Sequence, residues 1–342
     1  MDNTPAISVI MPVYNGEAFL KEAIESILNQ DFADFEFIII NDGSTDRSEQ
    51  IILSYADPRI RYVKNEINIR LIKTLNKGID LAKGKYIARM DADDISTNDR
   101  FRKQIEVLSS SPNIHVVSSI AYNILEDGTV FAPPTKWYSP DAIKIISPLA
   151  SLICHPAVMC RADVLKKNKY RDEEEYIHIE DAELWIRLIE KGSTLYVVNE
   201  PLLYYRQNPS GVSINNRMAQ AEKYINISRH FLKNKYDVEI SPDLLYILNF
   251  KFVNYKKGDL FKLERLISEY FEKSTLNFSN KDTLKDELNN WLRYILVASG
   301  IKGLFTLKGS NKVNTLYYLI CRLKWLSTYS NVINRYFYKL RQ

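Results

Sequence analysis

The run Phe35-Glu36-Phe37-Ile38-Ile39-Ile40 constrains this chain's fold more than any other segment. It reads as a strand that is apolar almost throughout. Such a strand belongs in a parallel sheet with helices covering both faces. The flanking segments agree. Ile7–Met11, Ile60–Val63, Lys85–Met90 and His115–Ser119 read as strands. Ala18–Asn29 reads as a helix with Phe19, Leu20, Ala23, Ile24, Ile27 and Leu28 on one face, and Leu71–Ala82 and Asp99–Leu108 read as further helices. Ser44 or Thr45 can cap another helix running to Tyr55. Repeated strand–helix–strand units predict an α/β fold: a Rossmann-like, doubly wound and mostly parallel central sheet flanked by helices. Ligands of such sheets bind outside the carboxyl ends of the strands.

Between Tyr122 and Pro156 the pattern breaks up, punctuated by Pro133, Pro134, Pro140, Pro148 and Pro156, which suits an acceptor-facing or connecting region. Asp181–Lys191 is an amphipathic helix with Leu184, Trp185, Leu188 and Ile189 apolar, followed by strands at Leu195–Val198 and Leu202–Tyr205. Beyond Asn216 the chain reads as helices at 218–234, 242–256, 259–273, 282–298 and 313–340. The expected division is therefore an α/β domain over 1–215 and an α-helical C-terminal region over 216–342. Cys154, Cys160 and Cys321 have neither a disulfide framework nor paired ligand spacing, so reduced thiols and a cytoplasmic setting are expected. The N-terminus has no signal-peptide pattern, and no apolar run reaches the roughly 18 residues that span a bilayer.

Three predicted strand ends carry polar turns: Pro12-Val13-Tyr14-Asn15-Gly16, Asn41-Asp42-Gly43-Ser44-Thr45-Asp46, and Asp91-Ala92-Asp93-Asp94. In a parallel sheet all three lie along one edge and can converge on a ligand. Asn-Gly and Asp-Gly also form turns in any protein. The acidic turn has two readings. Three neighbouring carboxylates repel one another, and a hard divalent cation relieves that repulsion; alternatively, they form a solvated turn capping the next helix.

Taken together, Pro12–Asn15, Asn41–Asp46, Leu75-Asn76-Lys77-Gly78-Ile79, Asp91–Asp94, Ile179-Glu180-Asp181-Ala182-Glu183-Leu184-Trp185 and Tyr204-Tyr205-Arg206 resemble, in order and spacing, the motifs of family 2 glycosyltransferases. The resemblance covers roughly residues 5–213. It implies the GT-A fold and inverting transfer from a UDP-sugar with Mn2+ or Mg2+. By that resemblance Pro12, Val13, Tyr14, Asn15 and Asp42 contact the nucleotide. Asp91 and Ala92 lie on its ribose or phosphate side. Asp93 is the principal metal ligand, and Asp94 touches the donor sugar or the metal. Asp181 is the general base, with Glu180 beside it toward donor sugar or acceptor. A helix N-terminus suits an ionised carboxylate, although acidic residues are common there without any catalytic role.

Two positions depart from the family pattern. Arg70 stands where the family often has Gly; it can reach a diphosphate as a bidentate cation or sit on a solvated loop. Asn208 stands where the family often has His, two residues after Arg206. His155, in Cys154-His155-Pro156, either lines the acceptor site or packs in the core.

The stretch 291–342 has nine basic residues and no acidic ones, leaving 37 basic against 42 acidic residues over 1–290. Interleaved with Tyr317, Trp325, Tyr336 and Phe337, these cations suit an anionic membrane surface, or a helix packed on the catalytic domain. No nucleic-acid motif accompanies them. The family resemblance, with this stretch beside it, implies a hexose or N-acetylhexosamine transferase. It would act on a lipid-linked glycan acceptor, such as one carried on undecaprenyl diphosphate, in lipopolysaccharide O-antigen or capsule synthesis at the inner face of the cytoplasmic membrane. A nucleotidyltransferase would more typically show a Gly-rich basic loop, which residues 11–17 lack. A non-catalytic sugar-nucleotide-binding subunit is the other alternative.

Overall fold

The computed structural model describes residues 4–132, 138–208, 216–248 and 259–292. The chain forms two compact units, one over 1–147 and 151–220, the other over 148–150 and 221–342.

In the first unit the order is β1 (Ile7–Val13), α1 (Leu20–Leu28), β2 (Phe35–Asn41), α2 (Ser48–Leu53), β3 (Ile60–Lys64), α3 (Leu71–Leu81), β4 (Tyr86–Arg89), β5 (Ile95–Ser96), α4 (Arg100–Ser110), β6 (Ile114–Ile124), β7 (Val130–Phe131), α5 (Pro140–Ile146), β8 (Met159–Arg161), α6 (Ala162–Lys167), α7 (Glu180–Glu190) and β9 (Thr194–Arg206). The described strands form one sheet in the order β3-β2-β1-β4-β8-β6-β9-β5, with β7 paired to β6. The β1–β2, β1–β4, β2–β3 and β6–β9 pairs are parallel; β8 runs against β4 and β6, and β5 against β9.

Period-two alternation places β1 and β2 between two cores. Ile7, Val9, Met11, Val13, Phe35, Phe37 and Ile39 join α1, α2 and α4 on one face. Ile10, Ile38 and Ile40 join α3, α5, α6 and α7 on the other. Each fully buried side chain of this kind contributes roughly 1.5–3 kcal/mol. Glu36 breaks the apolar run, and its carboxylate is satisfied there, accepting from Ser8 Oγ at 2.6 Å and from the Lys83 N–H at 2.7 Å.

The structure revises several details. The helix after β2 starts at Ser48, and neither Ser44 nor Thr45 caps it. Asp46 takes the Ser48 N–H at 3.0 Å, while Ser44 Oγ turns to the Asn15 N–H. The two strands expected around Pro201 are one, β9; it pairs with β6 through register shifts, and a bulge tolerates the missing proline N–H. The irregular stretch contains α5, whose N-cap Ser139 accepts the Ala142 N–H at 3.2 Å. Pro133 and Pro134 lie outside the described residues. Cys154 and Cys160 are free thiols.

The second unit is helical where described: α8 (Arg217–Tyr236), α9 (Pro242–Leu248), α10 (Asp259–Thr275) and α11, 281–292. Tyr270 packs edge-on to Tyr236 with ring centroids 5.1 Å apart, and Phe271 meets Trp291 at 6.2 Å. No described helix is long and apolar enough to cross a membrane. The helix expected at 313–340, with the rest of the basic stretch from 293, lies outside the described residues.

Candidate active site

The parallel register of β1, β2 and β4 brings their carboxyl ends to one edge of the sheet. There the first two turns are laced together. The Asp42 N–H donates to Val13 O at 2.7 Å, the Gly16 N–H to Ser48 Oγ at 2.9 Å, and the Glu17 N–H to Asp46 at 3.0 Å. Asn15, at φ 50°, takes the Thr45 N–H on its Oδ1 at 2.8 Å. Much of both motifs is therefore spent on holding the turns in place. Pro12 and Val13 end β1, with Val13 buried, and Tyr14 beyond them is 51% exposed. Asp42 is buried, and its Oδ1 accepts from Asn65 Nδ2 at 2.8 Å and the Ile69 N–H at 3.0 Å. Those bonds dock the 65–70 loop on the β2 turn. Gly43, at φ 72°, fits there because a Cβ would lie 2.7 Å from the Asn68 nitrogen.

The acidic turn follows β4. Carboxylate oxygens of Asp91, Asp93 and Asp94 lie within 4.8 Å of one another. Asp94 is buried; its Oδ1 accepts the Arg206 N–H at 2.9 Å, while its Oδ2 is buried without a hydrogen-bond partner. Burial and then the neighbouring Asp91 push Asp93 up to about 6, and burial followed by Asp91 and Asp93 pushes Asp94 well up. Three clustered carboxylates that Arg89 only partly offsets, with one buried acceptor oxygen orphaned, fit a hard divalent cation. Asn208 hydrogen-bonds Asp93 through its side chain, so this position still faces the acidic turn without the family's histidine. Arg206 braces the turn as well: its Nε donates to Asp93 O at 3.0 Å, and its guanidinium lies over the Phe19 ring at 4.2 Å. Ala92 is half-buried against the core.

Arg89, the last residue of β4, is the residue that sequence reasoning missed. Its buried guanidinium meets Asp91 at 2.5 Å, and its Nε and Nη1 have no partner. Its charge also acts on Asp94, His155, Tyr170, Glu180 and Asp181. An arginine on an otherwise apolar strand, two residues before an acidic cluster, was the available signal. Asp181 opens α7 with its side chain 27% exposed. Burial raises its pKa, opposed by the Ala182 N–H and by Arg89. Glu180 is buried and pushed up to about 7, first by burial and then by Asp181. His155, in a short 3-10 turn, is buried with Nδ1 4.0 Å from Asp181 Oδ2. The structure thus gathers the acidic turn, Arg89, His155, Glu180 and Asp181. Arg70 is exposed at the start of α3. The Leu75–Ile79 segment lies inside α3, where Gly78 lets the helix approach β1: a Cβ there would meet Ile10 Cγ2 at 2.5 Å.

Comparison with known proteins points the same way. The family model for glycosyl transferase family 2 matches residues 8–168. An uncharacterised glycosyltransferase of Methanocaldococcus jannaschii is 39% identical over 208 residues, 59% of this chain and 71% of that one. TuaG of Bacillus subtilis, described provisionally as a teichuronic acid biosynthesis glycosyltransferase, is 31% identical over 67% of this chain and 91% of its own. Among solved structures, residues 1–349 of S. aureus TarS in complex with UDP-GlcNAc superpose with a TM-score of 0.53 at 17% identity, covering 84% of this chain and 90% of that one. The mannosyltransferase PcManGT from Pyrobaculum calidifontis, with GDP-Man and Mn2+, has a TM-score of 0.55 at 14% identity, covering 96% and 85%. These structural matches show a shared fold.

Proposed function

The chain belongs to glycosyl transferase family 2, and from that premise we propose that it is a metal-dependent, inverting transferase that moves a hexose or N-acetylhexosamine from a UDP-sugar to a glycan acceptor. The observation that carries this reading is the grouping of Asp91, Asp93 and Asp94 around one point while Asp181 shares Arg89 with them. Donor-side and acceptor-side carboxylates thereby share one electrostatic environment.

In this reading Asp42 and the Pro12–Asn15 turn receive the nucleotide. Because Asp42 Oδ1 is engaged, Oδ2 would meet the base N–H. Asp93 and Asp94 would hold Mn2+ or Mg2+, with Asp91 on the ribose or phosphate side next to Arg89. When bound, the cation neutralises charge on the departing diphosphate. Arg70 adds a second cation for that diphosphate. Asp181 takes the proton of the acceptor hydroxyl as its oxygen bonds to the anomeric carbon from the face opposite the leaving diphosphate, whose bond to that carbon breaks. Asp181 suits the role because the helix N-terminus and Arg89 favour its ionised form while enough of it stays exposed to meet a hydroxyl. Polysaccharide synthesis as the setting rests on the relatives' descriptions. A lipid-linked acceptor, as in O-antigen or capsule assembly, and an inner-membrane location rest on the basic stretch 291–342.

The test is a screen of UDP-sugars, with GDP-mannose as control, for Mn2+-dependent thermal shift and nucleotide release. Asp181→Asn should lower turnover of the preferred donor by about 10²–10⁴-fold while leaving UDP binding intact. Asp93→Ala should lose metal-dependent donor binding. Full activity in chelator, or normal turnover by Asp181→Asn, would remove the corresponding assignment.

A further inference from the structure

Asn76, inside α3, has no part in the chemistry above, yet it grips a residue that reaches the active site. Its Oδ1 accepts the Tyr170 N–H at 3.1 Å, and its Nδ2 donates to Tyr170 O at 2.8 Å. Helix α7 holds the same segment: Arg187 Nη2 donates to Lys169 O at 2.9 Å, and Lys191 Nζ to Asn168 Oδ1 at 2.7 Å. Between these two grips the Tyr170 side chain is buried, with its hydroxyl 2.7 Å from His155 Nε2. The other ring nitrogen, Nδ1, faces Asp181 Oδ2 at 4.0 Å. Trp185 meets the imidazole edge-on, with ring centroids 6.0 Å apart.

A neutral imidazole has one N–H, and its surroundings choose where it sits. Burial and then Arg89 hold His155 well below its ordinary range, so the ring is neutral near neutral pH. Burial keeps the Tyr170 hydroxyl protonated. If that hydroxyl donates to Nε2, the hydrogen of the ring lies on Nδ1, toward the Asp181 carboxylate. The other tautomer would set a lone pair against that carboxylate.

Building on the assignment of Asp181 as base, we propose that Tyr170 and His155 are its positioning residues. Tyr170 fixes the Nδ1–H tautomer of His155, and that N–H holds Asp181 Oδ2 so that Oδ1 is left to the acceptor hydroxyl. The 4.0 Å separation closes on substrate binding, as catalytic hydrogen bonds commonly tighten in the complex. The other groups facing Asp181 are Arg89 from β4, Asp91 from the acidic turn, and Glu180 and the Ala182 N–H from its own helix. Arg89 and the Ala182 N–H favour the ionised form, and the two acids oppose it. A donor from His155 adds to the first group.

The first measurement needs no substrate: nitrogen-15 NMR of histidine-labelled protein, with the signal among the four histidines assigned through His155→Gln. His155 should show a protonated Nδ1 and an unprotonated Nε2 between about pH 6 and 8. Tyr170→Phe should move it toward the opposite tautomer. An Nε2–H tautomer in the wild type, or no change in Tyr170→Phe, overturns the proposal.

The second follows nucleotide release from whichever UDP-sugar the wild type consumes fastest. Tyr170→Phe and His155→Gln should lower kcat about tenfold with donor KM unchanged, and the acid limb of the pH profile should move upward. His155→Asn, whose amide keeps a donor near the Nδ1 position, should retain more activity than His155→Gln. In an Asp181→Asn background Tyr170→Phe should cost nothing further; an equal additional loss there means a merely structural role and overturns the proposal. If Asp181→Asn itself turns over normally, the base assignment fails. If it is inactive while Tyr170→Phe keeps wild-type kcat and tautomer, only the positioning role fails.

Discussion

At the scale of single residues, Arg70 and Glu180 occupy positions that elementary chemistry disfavours. Arg70 sits at φ 72° and ψ 162°, a region open almost only to glycine. Its N–H donates to Asn68 Oδ1 at 2.8 Å, and such a backbone costs about 1–3 kcal/mol. Arg70→Gly should therefore stabilise the protein by about 1 kcal/mol in urea unfolding, after the unfolded-state entropy of glycine is set against the strain. If the guanidinium meets the donor diphosphate, the same variant should weaken UDP binding about tenfold. Unchanged UDP affinity would place Arg70 outside the donor site. Glu180 is pushed up to about 7 from an ordinary 4.5, so folding favours its protonated form. That contribution is complete below about 4.5 and is lost as pH rises through about 7. Glu180→Gln removes the loss. It should be more stable than the wild type by about 2 kcal/mol near pH 8, with the gap closing toward pH 5. A constant gap in urea midpoints across that range would show that Glu180 does not titrate this way.

At the scale of elements, α3 shows how one of the family motifs serves packing. Gly78 costs roughly 1 kcal/mol of helix propensity against alanine. It is needed because an added Cβ would stand 2.5 Å from Ile10 Cγ2, a branch methyl with little freedom to swing away. Overpacking of this kind costs typically 1–3 kcal/mol and outweighs the propensity gain. Gly78→Ala should lower the thermal midpoint, and an increase would show that α3 can move off β1. The same helix carries Asn76, whose amide bonds both backbone groups of Tyr170, so α3 both packs on β1 and holds the segment that reaches His155.

At the scale of the whole molecule, charge is distributed unevenly: nine cations and no acids over 291–342, and a net acidic remainder. Each Lys or Arg near an anionic leaflet is worth about 1 kcal/mol, and salt screens it. The full chain should sediment with phosphatidylglycerol vesicles at low salt. Deleting residues 313–342, or raising the salt, should release it. Equal sedimentation of the truncated protein would assign membrane binding elsewhere or to none of this stretch.

Strand and helix periodicity determined the α/β architecture, because residues buried on two faces must be apolar whatever their partners. The polar strand ends marked the edge of the sheet at which the Asp42 turn and the acidic turn gather. Asp42, the acidic turn and Asp181 were legible through the set of motifs they belong to, because a carboxylate at a strand or helix end is common by itself. Only the tertiary structure decided the order of the strands, with β8 reversed between β4 and β6. It alone decided that Arg89 faces both sides of the site, and that Tyr170, from an irregular charged segment, meets His155. The physical reason is range. Periodicity and capping act over a few neighbouring residues, whereas the buried Tyr170 is placed by partners 15 and 94 positions away.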